Sequence, residues 1–260
     1  MSEIIRIQNS DYHRYEELLL RKNDVKKECL YLEREYSRVF GELIIAVFKK
    51  KVECAKKKKA IAFCQVSFNR GELPDETALR DFIQKETAAL QNHLEQMITE
   101  YDHANDCAAI TEIDAVRIRT IYRRIAKQLH PDLHPAVLES DQLQQLWLDV
   151  QDAYQRNDIK ELRELEVLAA KALSEIAGEI SIPEIPNIQE KILSLEEEIK
   201  HMMDTDPYQY KFLLLDKNDV AAKKEALNEE LKKYQEYSRQ LDAMLSDLLP
   251  EGVMMIWDLN

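Results

Sequence analysis

"VRIRTIYRRIAKQLHPDLHP", residues 116–135, decides how the rest of this chain is read. Placed on a helix at about 100° per residue, Ile118, Ile121, Tyr122, Ile125 and Leu129 share one face, with Ala126 at its edge. Arg117, Arg119, Arg123, Arg124 and Lys127 fall on the opposite face, and no acid interrupts them. Pro131 ends the helix, because it lacks an N–H and its ring clashes with the preceding turn. His130, the residue before proline, is pushed toward extended geometry, so its imidazole is expected at the helix tip. Asp132 is expected to accept hydrogen bonds from nearby backbone N–H groups and so fix the turn.

Working outward, a second helix is predicted from about Gln142 to Arg156. Leu143, Leu146, Trp147, Val150, Ala153 and Tyr154 line one of its faces at helical spacing. They are expected to pack antiparallel on the Ile118–Leu129 face, with the His130 tip in the loop between. His130, Asp132 and His134 stand close in sequence, but Pro131 breaks the helix on which two histidines four apart share a metal ion, so no metal site is expected. A rigid polar tip beside an acid-free basic face is a recognition device more than a catalytic one, and a plain structural helix stop is the competing reading.

The stretch "IRTIYRRIAKQLHPDLHP" followed by "LWLDVQDAY" resembles helices two and three of a J domain, the module of DnaJ-type co-chaperones. Tyr122, Ala126, His130, Pro131, Asp132, Trp147, Val150, Ala153 and Tyr154 fill that family's places, over roughly residues 118–154. The resemblance implies a J-like core of Ile118, Tyr122, Ile125, Ala126, Leu129, Trp147, Val150 and Tyr154. It also implies docking on a DnaK-type chaperone ATPase through His130, Pro131, Asp132 and the basic face of Arg117, Arg119, Arg123, Arg124 and Lys127. Stimulated ATP hydrolysis is the implied outcome, with the catalytic residues belonging to the partner and client proteins as further candidate partners. The family's Asp-Tyr-Tyr and Leu-Gly-Val first-helix signature is absent from "EYDHANDCAAITEID". Either a diverged helix ending near Asp106 replaces that helix, or it is missing. The alternative function is a structural, scaffolding coiled-coil protein that keeps a J-like unit without engaging the chaperone.

The flanks read as helix throughout. A chain of 260 residues with only 4 Gly, 7 Pro and 33% charged residues favours long helices, so the fold class is all-α. Three regions are expected: 1–108, long N-terminal helices; 109–180, the J-domain-like unit; 181–260, a C-terminal coiled-coil hairpin, bundled in one reading with the N-terminal helices. Gly41 marks a candidate kink, Asp75 an N-cap, and Asp158 with Glu161 a capping box. Gly178 is placed to end the helix that the box opens. Beyond the linker at 181–187, Ile188, Ile192, Leu195, Ile199 and Met202 form one seam. Val220, Leu227, Leu231, Tyr234, Leu241, Leu245 and Leu248 form another. The short turn between them, with Pro207 at an expected first helical position, predicts an antiparallel pair, and the seams leave homo-oligomerisation open. "LLLRKNDV" (18–25) recurs as "LLLDKNDV" (213–220), which predicts a duplicated segment whose copies pack together.

Composition excludes several other classes. The net charge of -13 does not suit a chain that wraps nucleic acid or anionic membrane. Seven lysines in "KKKVECAKKKK" (49–59) read as a solvated helix face, because no aromatic residue interleaves them. Cys29, Cys54, Cys64 and Cys107 form no C-x-x-C pair, so no zinc site is expected, and with no signal peptide read, no disulfides are expected either. No apolar run is long enough to span a bilayer, and no export signal is read, so a cytoplasmic location is expected. His13, His93, His103 and His201 read as isolated surface residues. With no phosphate loop, nucleophile elbow or distinctive carboxylate pair, neither an enzyme nor a cofactor is predicted.

Overall fold

The longest element is a helix of 68 residues, α1 (Ser2–Asn69), which meets no proline along its whole course. The chain is described here by a computed structural model covering residues 2–106, 111–176 and 185–248. Among these residues the protein is all-α, with eight α-helices, one short 3-10 helix and no strand. None of the helices is long and apolar enough to cross a membrane. α1 continues as helix through Gly41. A Cβ there would run into the ring of Tyr101, so the glycine lets that aromatic ring lie against the helix. At the end of α1, Gly71 takes a φ of 72°, and the Glu72 N–H donates back to Ser67 O at 3.1 Å. Asp75 then caps α2 (Glu76–Asp106), accepting from the Ala78 N–H at 2.7 Å.

The chain divides into two units, each drawn from two separate stretches of sequence. Unit one holds α1 up to Leu32, with α3 (Glu112–Leu129), a 3-10 helix (Pro135–Glu139), α4 (Asp141–Arg156), α5 (Ile159–Ile176) and α6 (Ile188–Asp204). Unit two holds α1 from Glu33, with α2, α7 (Tyr210–Leu215) and α8 (Lys217–Ser246).

In unit one, α3 and α4 pack face to face, and α5 lies on both of them. Ile118, Ile121, Tyr122, Ile125, Ala126 and Leu129 meet Leu143, Leu146, Trp147, Val150, Ala153 and Tyr154 in one core, with Leu162, Leu165, Ala169 and Ala172 of α5. Tyr122 stacks on Tyr154 with ring centroids 3.9 Å apart. Burying each large side chain of this core stabilises by about 1.5–3 kcal/mol. Asp158 opens α5 by accepting from the Lys160 and Glu161 N–H groups at 3.1 and 3.0 Å, as the capping pattern predicts. Gly178 and most of the 181–187 linker lie outside the described residues.

The two C-terminal seams belong to different units, and each packs on its own stretch of α1. Within unit one, Ile192 and Leu195 of α6 pack on Tyr12, Tyr15 and Leu19 of α1. Arg14 pairs with Glu196 and Lys22 with Glu198, so α6 runs in the same direction as α1. Within unit two, Leu227 joins Phe40 and Val47 of α1, and Leu241 and Leu245 join Cys54, Ala60, Ile61 and Cys64. Helix α8 therefore also runs parallel to α1. An apolar seam fixes which face is buried; it does not say against which helix. Pro207 stands in the turn before α7, cis to Asp206, rather than at a first helical position.

The first copy of the repeated segment lies in unit one and the second in unit two. Leu19 belongs to the cluster of Ile192 and Leu195, whereas Leu213 and Leu214 sit with Tyr36 and Phe40. The lysine run also departs from a solvated face at Lys57. That side chain is buried, and its Nζ meets Ser238 Oγ at 2.7 Å, Asp242 Oδ2 at 2.8 Å and Glu53 Oε1 at 2.8 Å. A buried ammonium is tolerable only when paired in this way.

Candidate functional site, a helix tip and its basic flank

The tip is assembled at the C-terminus of α3. Thr111 opens that helix, its hydroxyl accepting from the Asp114 N–H at 3.1 Å. His130 closes it with φ -65° and ψ 123°, the extended geometry that the following proline dictates. The His130 carbonyl then accepts from the Leu133 and His134 N–H groups at 2.9 and 2.8 Å, which folds residues 131–133 into a tight turn. The turn leads into the 3-10 helix, and Ser140 caps α4 by accepting from the Leu143 N–H at 3.4 Å.

The roles of the two polar tip residues differ from expectation. The His130 imidazole is turned inward, edge-on to Trp147 at 5.0 Å, and its side chain is only 11% exposed. Its Nδ1 accepts the Asp132 N–H at 3.2 Å, which leaves the proton of a neutral ring on Nε2. Burial pushes its pKa down, and the neighbouring charges of His134, Lys22 and Lys26 push the same way, while the Asp132 carboxylate 3.9 Å away opposes them. Histidine therefore fixes the turn, and the Asp132 carboxylate, 57% exposed, is the group offered to solvent. His134 is tied down as well, with Nε2 2.7 Å from Lys127 O. His13, His93, His103 and His201 lie on the surface.

The basic residues that share one face of α3 are all paired. Arg117 meets Asp114 at 3.5 Å on its own helix, and Arg124 meets Glu166 of α5 at 3.1 Å. The others meet α1: Arg123 donates to Asp24 Oδ2 at 2.6 Å, Arg119 lies 3.6 Å from Asp24 Oδ1, and Lys127 donates to Glu16 Oε2 at 3.2 Å. The Tyr154 hydroxyl also donates to Asp24 Oδ1, at 3.2 Å. Lys27 of α1 donates to Tyr154 O at 2.6 Å and sits over the Tyr154 ring. Leu20 enters the α3–α4–α5 core, and Leu133 of the tip is enclosed by Tyr12, Tyr15, Leu19, Ile192 and Leu195. Burial, with the Asp132 charge added, pushes the Tyr15 phenol up to about 12.

The eight predicted core residues, Ile118, Tyr122, Ile125, Ala126, Leu129, Trp147, Val150 and Tyr154, all lie in one buried cluster. His130, Pro131 and Asp132 form the turn at its edge. Glu16 and Asp24 were not legible as parts of this site. The available signal is their spacing, acid–Leu20–acid at four-residue steps along one line of α1. The helix that precedes α3 in sequence, α2, belongs to unit two. No family model matches this chain, and no match was found among curated proteins or solved structures.

Proposed function

We propose that unit one is a J-domain-like co-chaperone module that docks on a DnaK-type chaperone ATPase and stimulates its ATP hydrolysis. The observation that carries this reading is the pairing of a His130-Pro131-Asp132 turn, closing a helix with a basic face, with an α4 that returns onto that helix through Tyr122, Trp147 and Tyr154. The module itself does no chemistry. It offers the Asp132 carboxylate and the exposed parts of Arg117, Arg119, Arg124 and Lys127 to an acidic and polar surface of the ATPase, where opposite charge raises the rate of encounter.

The test is steady-state ATP hydrolysis by a DnaK-type chaperone with and without this protein. Asp132→Asn is the cleanest variant, because it removes an exposed charge and leaves the backbone N–H that holds His130. Wild type is expected to stimulate and Asp132→Asn to lose most of that stimulation with its melting curve unchanged. Equal stimulation by both proteins would remove the reading. A scaffolding protein with a J-like unit that engages no chaperone is the second reading, favoured by the acids already seated on the basic face. It predicts no stimulation by any form of the protein.

A further inference from the structure

The face of α3 that reads as five uncompensated cations in sequence meets four carboxylates, Asp114, Asp24, Glu166 and Glu16, each within 3.6 Å of a basic nitrogen. Its local charge is thereby about +1 rather than +5. Two of the four acids come from α1, about a hundred residues away in sequence, and they are the buried ones. Asp24 is 6% and Glu16 11% exposed, while the cations that they meet remain 38–56% exposed. A docking partner can still touch Arg119, Arg123 and Lys127, but it meets a field that has been largely cancelled from behind.

We propose that Glu16 and Asp24 form a built-in electrostatic brake on the docking face of α3, occupying Arg119, Arg123 and Lys127 as an acidic partner surface would. The inference rests on the co-chaperone reading above and assigns it a regulatory layer. Stability alone does not call for carboxylates at these two positions. A buried ion pair adds little over a well-packed apolar pair, because desolvation offsets most of the Coulomb gain. The apolar attachment of α1 to unit one is supplied separately by Tyr12, Tyr15, Leu19 and Leu20. What the carboxylates add is charge beside the cations. Opposite charge accelerates association, and like charge or cancellation slows it. The brake therefore acts on the rate of capture and does not require α1 to leave its seat.

The experiment uses the full chain with Glu16→Gln and Asp24→Asn combined. Both amides keep the shape, and the Asn oxygen can still accept from the Tyr154 hydroxyl. Glu225→Gln with Glu229→Gln, exposed on α8, makes the same change in net charge within unit two. Association with a DnaK-type ATPase and stimulated hydrolysis are measured at low and high salt. The α1 double variant is expected to associate about tenfold faster at low salt, with a steeper salt dependence, while the α8 control matches wild type. Glu16→Gln alone, which frees Lys127 and leaves Asp24 on Arg119 and Arg123, is expected to give a smaller rise in the same direction and serves if the double variant misfolds. If wild type binds and stimulates but neither α1 variant is faster, the brake is overturned and the co-chaperone reading stands. A slower α1 variant also overturns it, by making the acids part of the docking surface. If no form binds or stimulates, the co-chaperone reading fails and the brake falls with it.

Discussion

Residues 18–25 and 213–220 differ at one position in eight, Arg21 against Asp216, yet they fold differently. The first copy is an uninterrupted stretch of α1. In the second, Asp216 takes φ -96° and ψ 116° and its carboxylate accepts from the Asn218 N–H at 2.7 Å, so α7 stops and α8 starts there. Aspartate competes for backbone N–H groups and favours caps, whereas arginine is a good helix former, so the one differing side chain favours a break in the second copy and helix in the first. The environments diverge as well. Leu20 is 1% exposed in the core of unit one, and its counterpart Leu215 is 74% exposed. Asp24 is buried among Arg119, Arg123 and Tyr154, and its counterpart Asp219 is an exposed residue in the first turn of α8. Local sequence identity fixed neither the boundary of the helix nor the fate of its faces.

Substitutions at matched positions break this comparison most sharply. Leu20→Ala leaves a cavity in a packed core and is expected to cost about 2–5 kcal/mol, against at most roughly 0.5 kcal/mol for Leu215→Ala. Because the chain has two units, amide hydrogen exchange resolved by unit is the suitable measurement, and equal effects at the two sites would remove the asymmetry. Asp24→Ala strands the Tyr154 hydroxyl and part of the Arg123 guanidinium, for a loss of roughly 1–3 kcal/mol in unit one. Asp219→Ala removes only a favourable charge near the start of α8, about 0.3–1 kcal/mol. Asp216→Ala deletes the cap that separates the copies and is expected to cost about 1 kcal/mol in unit two, with faster exchange in the first turn of α8. Arg21→Ala, at an exposed helical site, should be close to neutral.

The gentlest perturbation is pH, which changes no residue. The pKa of His130 is lowered in the folded state by burial and by His134, Lys22 and Lys26, against Asp132. The unfolded chain therefore binds the proton more readily, and unit one should lose stability as pH falls below the ordinary histidine value of about 6.5. In unit two, burial works against the Glu53 carboxylate, but hydrogen bonds from Lys50, Lys57 and Ser238 and the charge of Lys57 outweigh it and bring its pKa to about 2. Its contribution is present above the ordinary glutamate value of about 4.3 and is lost as pH falls through 2. Exchange measured from neutral pH downward should show unit one loosening first, and His130→Gln should remove that early response. Simultaneous loosening of both units would contradict this assignment.

Much of unit one was legible in the sequence. The apolar stripes of α3 and α4 named the residues that stack, because helical period fixes a face, and Pro131 fixed the end of α3 because its ring forbids continuation. The inward turn of His130 was not legible. It depends on Trp147 offering a surface seventeen residues later, and on Nδ1 accepting the Asp132 N–H. Nor were the partners of the C-terminal seams. Ile192, Leu195, Leu241 and Leu245 announced burial, but the helix that buries them lies at the other end of the chain. Glu16 and Asp24 looked like two acids in a chain full of acids, and only the fold sets them beside Lys127 and Arg123.

The separation of 99 residues between Asp24 and Arg123 also has a consequence for synthesis. At about 5–20 residues per second, the ribosome needs roughly 5–20 s after making Asp24 before its first basic partner exists. Helices α4 and α5 follow later still, so Leu19, Leu20 and Val25, all buried in the finished fold, emerge on a nascent helix with no native surface to cover them. Apolar surface exposed in this way favours aggregation, so the interval before α3 appears is when the nascent chain is most prone to it.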